Sequence, residues 1–153
     1  MSTTVERLGQ QHQEVLARLA AVEREPPAGS GTSLLADFVD FLEREVMEHF
    51  VVEEQALFPV LERHIGRTEG PLAVMDMEHA TFRGLLQDLA AGLRSEDPAR
   101  CRQRAHAIID LLRDHIAKED HVLFPMASRL LSAEEHAEVD ARADAINPSA
   151  ATA

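Results

Sequence analysis

Residues 49–59 read HFVVEEQALFP, and residues 115–125 repeat the pattern as HIAKEDHVLFP. Both copies follow the scheme His-x-x-x-Glu-(Glu/Asp)-x-x-Leu-Phe-Pro. A histidine and a carboxylate four residues apart lie on one face of a helix, one turn from each other. Two such faces turned towards each other could hold a pair of metal ions. The repeat therefore predicts helices that carry a metal site.

The composition around the repeat is typical of a helical globular protein. The 153 residues are 45% hydrophobic, which suits one domain with its own core. The formal net charge of -12 argues against nucleic acid and anionic membranes as partners, because both need clustered Lys and Arg. No apolar run approaches the roughly 20 residues of a membrane span. Cys101 is the only cysteine and no secretory signal opens the sequence, so we expect a cytoplasmic protein.

Apolar residues recur every three or four positions in four long segments, which predicts an all-α fold. The short connections favour an antiparallel up-and-down four-helix bundle with a short fifth C-terminal helix. We expect one domain over residues 1–146 and a flexible tail over residues 147–153. Pro59 lies inside the second segment and should kink the helix or begin a new turn. The predicted helices cover residues 3–24, 33–66, 71–93, 98 to beyond 126, and 132–143, with a loop at 26–32.

The repeat extends to two further histidines on the apolar sides of their helices. His12 precedes His49 by 37 residues, and His79 precedes His115 by 36. Duplication of a helical hairpin would relate the two halves by a pseudo-twofold axis. The polar side chains of both halves would then converge in the bundle core. The candidate metal ligands are His12, His49, Glu53, His79, His115 and Glu119.

A metal pair is the physical reason for placing these six side chains in a core. Buried imidazoles and carboxylates are costly unless they are paired or bound to a cation. Two glutamates that face each other repel unless a cation lies between them. Imidazole and carboxylate without thiolate suit iron, manganese or zinc. The residues alone leave the choice among these metals open.

Other polar residues near the repeat are weighed against these six. Acidic residues occupy 27 of 153 positions, so a single His-x-x-x-Glu is weak evidence. Glu54 and Asp120 follow the candidate glutamates and are expected to be solvated, although Asp120 replaces Glu119 if the helix unwinds locally. His64 lies about 16 Å further along the helix than Glu53, beyond Pro59. Surface or capping roles are expected for His106, His121 and His136.

The motifs resemble those of the hemerythrin-like (HHE cation-binding) family, over roughly residues 8–130. The resemblance rests on residues 49–54 (HFVVEE), 78–83 (EHATFR) and 115–119 (HIAKE), the last of them followed by Leu-Phe-Pro. It implies a four-helix bundle around two non-haem iron ions joined by an oxo or hydroxo bridge. The four histidines would be terminal ligands, and Glu53 and Glu119 would bridge the two irons.

Met75 lies one turn before His79. The oxygen-carrying members of the family that the chain resembles have a histidine at the position of Met75, so the chain departs from their pattern here. A thioether is too soft to replace imidazole well on iron. One iron would then have an additional open position, which argues against simple oxygen carriage. The pattern is similar to bacterial members linked to peroxide, nitric oxide or oxidative stress, and to iron-centre repair proteins. We expect a small ligand and catalase-like decomposition of peroxide. Reversible binding or sensing of dioxygen or nitric oxide, and iron storage or delivery, are the alternatives.

Overall fold

The computed structural model describes residues 2–24 and 31–147, and it contains no strand among them. Five helices account for most of this part of the chain. The all-α prediction is therefore confirmed. The helices are α1 (Thr4–Arg24), α2 (residues 31–65), α3 (Pro71–Arg94), α4 (residues 98–130) and α5 (Ala133–Ile146).

Both repeat copies contain a π-helical turn that the sequence did not reveal. In α2 this turn is Glu53–Leu57, and in α4 it is Glu119–Leu123. Each begins at the candidate glutamate and ends at the leucine before Phe-Pro. A second π turn in α2, Leu42–Val46, lies one α-helical segment earlier.

The π turns explain how α2 and α4 continue through a proline. A proline ring clashes with the carbonyl four residues back in a regular α-helix. For Pro59 and Pro125 that carbonyl belongs to the preceding π turn, where hydrogen bonding already runs over five residues: the amide of Phe58 donates to Glu53, and the amide of Phe124 donates to Glu119. Each proline then occupies the first turn of the next α-helical segment.

Most helix ends agree with the capping signals in the sequence. Gly66 ends α2 with a φ of 78°, a conformation that glycine adopts without strain. The Asp97 side chain accepts a hydrogen bond from the amide of Arg100 at the start of α4. Ser132 and Glu135 form the predicted capping box of α5. Two bounds differ by more than one residue: α2 begins at Gly31 rather than at residue 33, and α5 extends to Ile146 rather than to residue 143.

The apolar core consists of two clusters at opposite ends of the bundle. Helix α1 contributes Leu8 to one cluster and Val15 to the other, and α3 runs in the same direction, from Leu72 to Leu86. Helices α2 and α4 pass between the clusters in the opposite direction. This alternation is the predicted up-and-down arrangement. It leaves a layer between the clusters where buried side chains from all four long helices meet.

Helix α5 covers the end of the bundle to which Leu8 and Leu72 contribute. Val139 and Ala143 are buried in that cluster. Arg63 on α2 donates two hydrogen bonds to Glu138, at 2.9 and 2.7 Å. None of the described helices is long and apolar enough to cross a bilayer. The loop predicted at residues 26–32 and the tail predicted at 147–153 lie mostly outside the described residues.

Candidate metal centre

The six predicted residues converge in the layer between the two core clusters. Each is buried, with at most 6% of its surface exposed. They form two groups, and within each group the potential ligand atoms lie within 4.8 Å of one another. The first group comes from α1, α2 and α4, and the second from α2, α3 and α4. The groups are His12, His49 and Glu119, and Glu53, His79 and His115.

Each carboxylate faces histidines of both groups. Glu53 places Oε1 3.1 Å from Nε2 of His79 and Oε2 3.4 Å from Nε2 of His49. Glu119 places Oε1 3.1 Å from Nε2 of His12 and 3.5 Å from Nε2 of His115. Two carboxylates that span two histidine pairs can bridge a pair of cations.

The inward atoms of the site fit a bound cation. Several buried polar atoms here have no hydrogen-bond partner. Leaving such an atom unsatisfied costs about 1–3 kcal/mol, which a cation among these lone pairs would offset. The Nε2 atoms and carboxylate oxygens are the atoms that divalent metals bind. The partnerless atoms are Nε2 of His49, His79 and His115, both Oε atoms of Glu53, and Oε2 of Glu119.

The outward nitrogen of each histidine contacts a polar side chain that orients the ring. An acceptor on Nδ1 holds its proton there, so the Nε2 lone pair points into the site. We call these four side chains the braces. Sequence reasoning missed all four, and the expectation that Glu54 and Asp120 are simply solvated was wrong. The pairs are His12–Asp120 at 2.7 Å, His49–Gln11 at 2.8 Å, His79–Glu54 at 2.7 Å and His115–Glu78 at 2.9 Å.

The remaining polar candidates lie away from the two groups. Glu119 is fully buried and faces inwards, whereas Asp120 keeps 29% of its side chain exposed. Asp120 therefore does not replace Glu119, although the helix does change to a π turn here. His64 contacts Glu135 at 2.9 Å, and Met75 is buried in the apolar cluster with Leu72. His106 and His121 are exposed.

Buried phenylalanines pack against the candidate ligands. Phe50 stacks on His79 with ring centroids 3.8 Å apart, and Phe58 stacks on the same imidazole at 5.8 Å. Phe124, which corresponds to Phe58 in the repeat, stacks on His12 at 5.4 Å. These rings restrict the imidazoles to their observed orientations. They also lower the local dielectric, which strengthens any interaction between the carboxylates and a cation.

Without a cation, protons balance the charge of the buried carboxylates. Burial alone would lower the pKa of His49, but the negative charges of the nearby Glu53 and Glu119 raise it to about 10. Burial would also lower the pKa of His79, but the nearby carboxylates of Glu53 and Glu54 raise it to about 9. The pKa of His115 is lowered, by burial first and also by the charge of His79. A metal ion must displace the protons from His49 and His79 in order to bind.

Comparisons with known proteins agree with this geometry. The family model described as hemerythrin HHE cation binding domain matches residues 3–127. The chain is 31% identical over 127 residues to the iron-sulfur cluster repair protein YtfE of Escherichia coli O157:H7, covering 74% of this chain and 56% of that protein. It is 30% identical over 135 residues to the YtfE protein of Citrobacter koseri, covering 80% of this chain and 60% of that protein. The chain thus spans less than two thirds of the length of these relatives. No solved structure gives a significant match.

Proposed function

Because the chain belongs to the hemerythrin HHE cation-binding domain family, we propose that its six converging residues hold two non-haem iron ions. The observation that carries this proposal is the set of buried, inward-facing atoms without hydrogen-bond partners. His12, His49 and Glu119 would hold one ion, and His79, His115 and Glu53 the other. The carboxylates would bridge the two positions, since each already faces histidines of both groups.

The protein's own side chains would position the irons and limit access to them. The braces fix each imidazole with Nε2 inwards, and the stacked Phe50, Phe58 and Phe124 exclude bulk water. Met75 supplies no imidazole, so the position beside His79 has one protein ligand fewer than the resemblance to oxygen carriers would require. This smaller ligand set favours a reactive centre over a carrier.

For the reaction, we propose peroxide decomposition in defence against oxidative or nitrosative stress. One hydrogen peroxide molecule is oxidised to dioxygen and releases two electrons and two protons. A second hydrogen peroxide molecule takes up these electrons and protons and leaves as two waters. Storage of the two electrons between the half-reactions is the redox chemistry that bound iron would supply. The support for this proposal is the low number of protein ligands at the position of His79 and His115.

A second candidate function is the supply of iron to damaged iron-sulfur clusters. The name of the YtfE relatives, iron-sulfur cluster repair protein, favours it. Since this chain spans only 56% to 60% of the relatives' length, their activity is carried over as a proposal. In this function an iron ion is cargo, and the site must release it as well as hold it.

One experiment separates the two candidates. Iron-loaded protein is mixed either with a large excess of hydrogen peroxide or with an apo iron-sulfur protein under reducing, anaerobic conditions. Steady oxygen evolution over many turnovers, with no loss of bound iron, supports peroxide decomposition. Transfer of iron to the acceptor without oxygen evolution supports iron supply. A stable, reversible dioxygen or nitric oxide adduct with neither reaction refutes both and indicates a sensor or carrier.

A further inference from the structure

The four braces are duplicated in the same way as the candidate ligands. Glu54 and Asp120 each directly follow a candidate glutamate and hold the lone histidine of the opposite half, His79 or His12. Gln11 and Glu78 each directly precede a lone histidine and hold the histidine of the repeated motif, His49 or His115. The ring centroids of the two histidine pairs are equally spaced, at 5.0 Å. The two halves of the site are thus built on one plan.

The plan is broken at one brace. Glu54 and Asp120 are both carboxylates, but Gln11 is a neutral amide where its counterpart Glu78 is a carboxylate. A carboxylate acceptor increases the electron donation of the imidazole to a metal, and a neutral amide does so less. His49 is consequently the one candidate ligand histidine whose brace carries no charge.

The difference continues beyond the braces. Lys118, three residues after His115, forms an ion pair with Glu78, and the equivalent residue three after His49 is the uncharged Val52. Arg83 donates two hydrogen bonds of 2.8 Å to Glu54, and the equivalent residue, four after His12, is Leu16. Each brace around His79 and His115 is therefore paired with a basic side chain, Arg83 or Lys118.

The braces around the other pair are held less firmly. Among the described residues, Asp120 pairs only with His12. Gln11 is an exposed residue whose only side-chain hydrogen bond in this part of the structure joins it to His49. His49 also has the most exposed side chain of the four histidines, at 5% against 0–2%. In addition, His79 lies between two stacked phenylalanines, whereas His49 meets Phe50 only edge-on.

We propose that the two metal positions are inequivalent, and that the ion held by His12, His49 and Glu119 exchanges first, by outward rotation of His49 past Gln11. The inference rests on the proposed dinuclear metal centre. Loss of a charged partner behind a ligating histidine typically lowers metal affinity by about 10–100-fold. Gln11 stands behind His49 where Glu78 stands behind His115, so this charged partner is absent from the first position. The site would then give up one ion readily and retain the second, which suits a protein that supplies iron.

The test follows iron release from the reduced, iron(II)-loaded chain under anaerobic conditions, with an excess of a chromogenic iron(II) chelator. The wild type should release iron in two phases of equal amplitude, one ion per chain in each. The rates of the phases should differ by about 10–100-fold. Gln11→Glu should slow the fast phase about tenfold or more and leave the slow phase unchanged. Gln11→Glu combined with Val52→Lys reproduces the Glu78–Lys118 pair and should slow the fast phase further.

Two controls assign the phases to the two positions. Gln13→Glu makes the same charge change on an exposed residue of α1 without reaching His49, and it should leave both phases unchanged. Glu78→Gln should accelerate the slow phase alone. Since Gln11 is exposed, Gln11→Glu is not expected to affect folding, and circular dichroism checks this directly.

The outcomes separate this inference from the proposal on which it rests. Binding of fewer than one iron per chain would overturn both the dinuclear centre and the inequivalence. Two bound irons that leave in a single phase would overturn the inequivalence alone. The inequivalence is also overturned if Gln11→Glu and Gln13→Glu change the release rate equally, because a general effect of negative charge would then explain the change without the contact to His49.

Discussion

Replacing Glu54 by Gln should destabilise the metal-free protein by about 1–2 kcal/mol at neutral pH. Glu54 accepts a hydrogen bond from His79 and two from Arg83. Burial would raise the pKa of Glu54, but these hydrogen bonds and charges lower it from 4.5 to about 2. A pKa shift of this size, at about 1.4 kcal/mol for each pKa unit, corresponds to roughly 3 kcal/mol. The side chain keeps 23% of its surface exposed, and solvent screening reduces the figure to the value given.

The assay is urea unfolding of metal-free wild type and Glu54→Gln between pH 7 and pH 2. Because the folded pKa lies below the unfolded value, the contribution of Glu54 is fully present above pH 4.5 and is lost as the pH falls towards 2. The difference between the two proteins should therefore shrink across this window. Glu62→Gln makes the same change at a half-exposed carboxylate 3.7 Å from Arg67, and its effect should stay below about 0.5 kcal/mol. Equal stability of wild type and Glu54→Gln at pH 7, or a difference that does not depend on pH, would refute the reasoning.

Three further predictions concern the ligands, Met75 and α5. His49→Ala and His115→Ala should each sharply lower the iron content after reconstitution, because both residues face the site. His106→Ala should not, since His106 is exposed, and equal loss of iron in all three variants would contradict the ligand assignment. Met75→Leu should keep the wild-type iron content, because Met75 packs in an apolar cluster, and loss of iron would make Met75 a ligand. Since the two side chains have similar volume, thermal unfolding should show a loss of stability below about 1.5 kcal/mol. Ser132→Ala removes the capping box of α5 and should cost about 1 kcal/mol, seen as faster amide exchange in α5; unchanged exchange would show that the cap contributes nothing.

The helices and the convergence of the six residues could be predicted because each rests on a periodic signal. Apolar spacing indicated the four long helices, and capping residues such as Asp97 and Ser132 marked several of the ends. The histidines were distinguished from His106 and His121 by their position on the apolar faces. Duplication supplied the decisive constraint, since a single histidine–glutamate pair is close to chance in so acidic a chain.

The π turns and the braces could not be predicted for physical reasons. A π turn moves one hydrogen bond by one residue and leaves the apolar pattern almost unchanged, so only the recurring Phe-Pro hinted at it. A residue next to a ligand points about 100° away from it, towards a neighbouring helix. Whether Gln11 or Glu78 then meets a histidine depends on how the helices pack. The acidic residue after each candidate glutamate was a usable signal for Glu54 and Asp120, because it is repeated together with the ligands.

The central claim is that the six converging residues form a dinuclear iron centre. The most direct measurement is metal analysis of protein purified in air, together with its optical spectrum. We predict about two irons per chain and the near-ultraviolet bands of an oxo-bridged diferric pair. Fewer than one bound metal ion per chain after reconstitution with iron would contradict the claim.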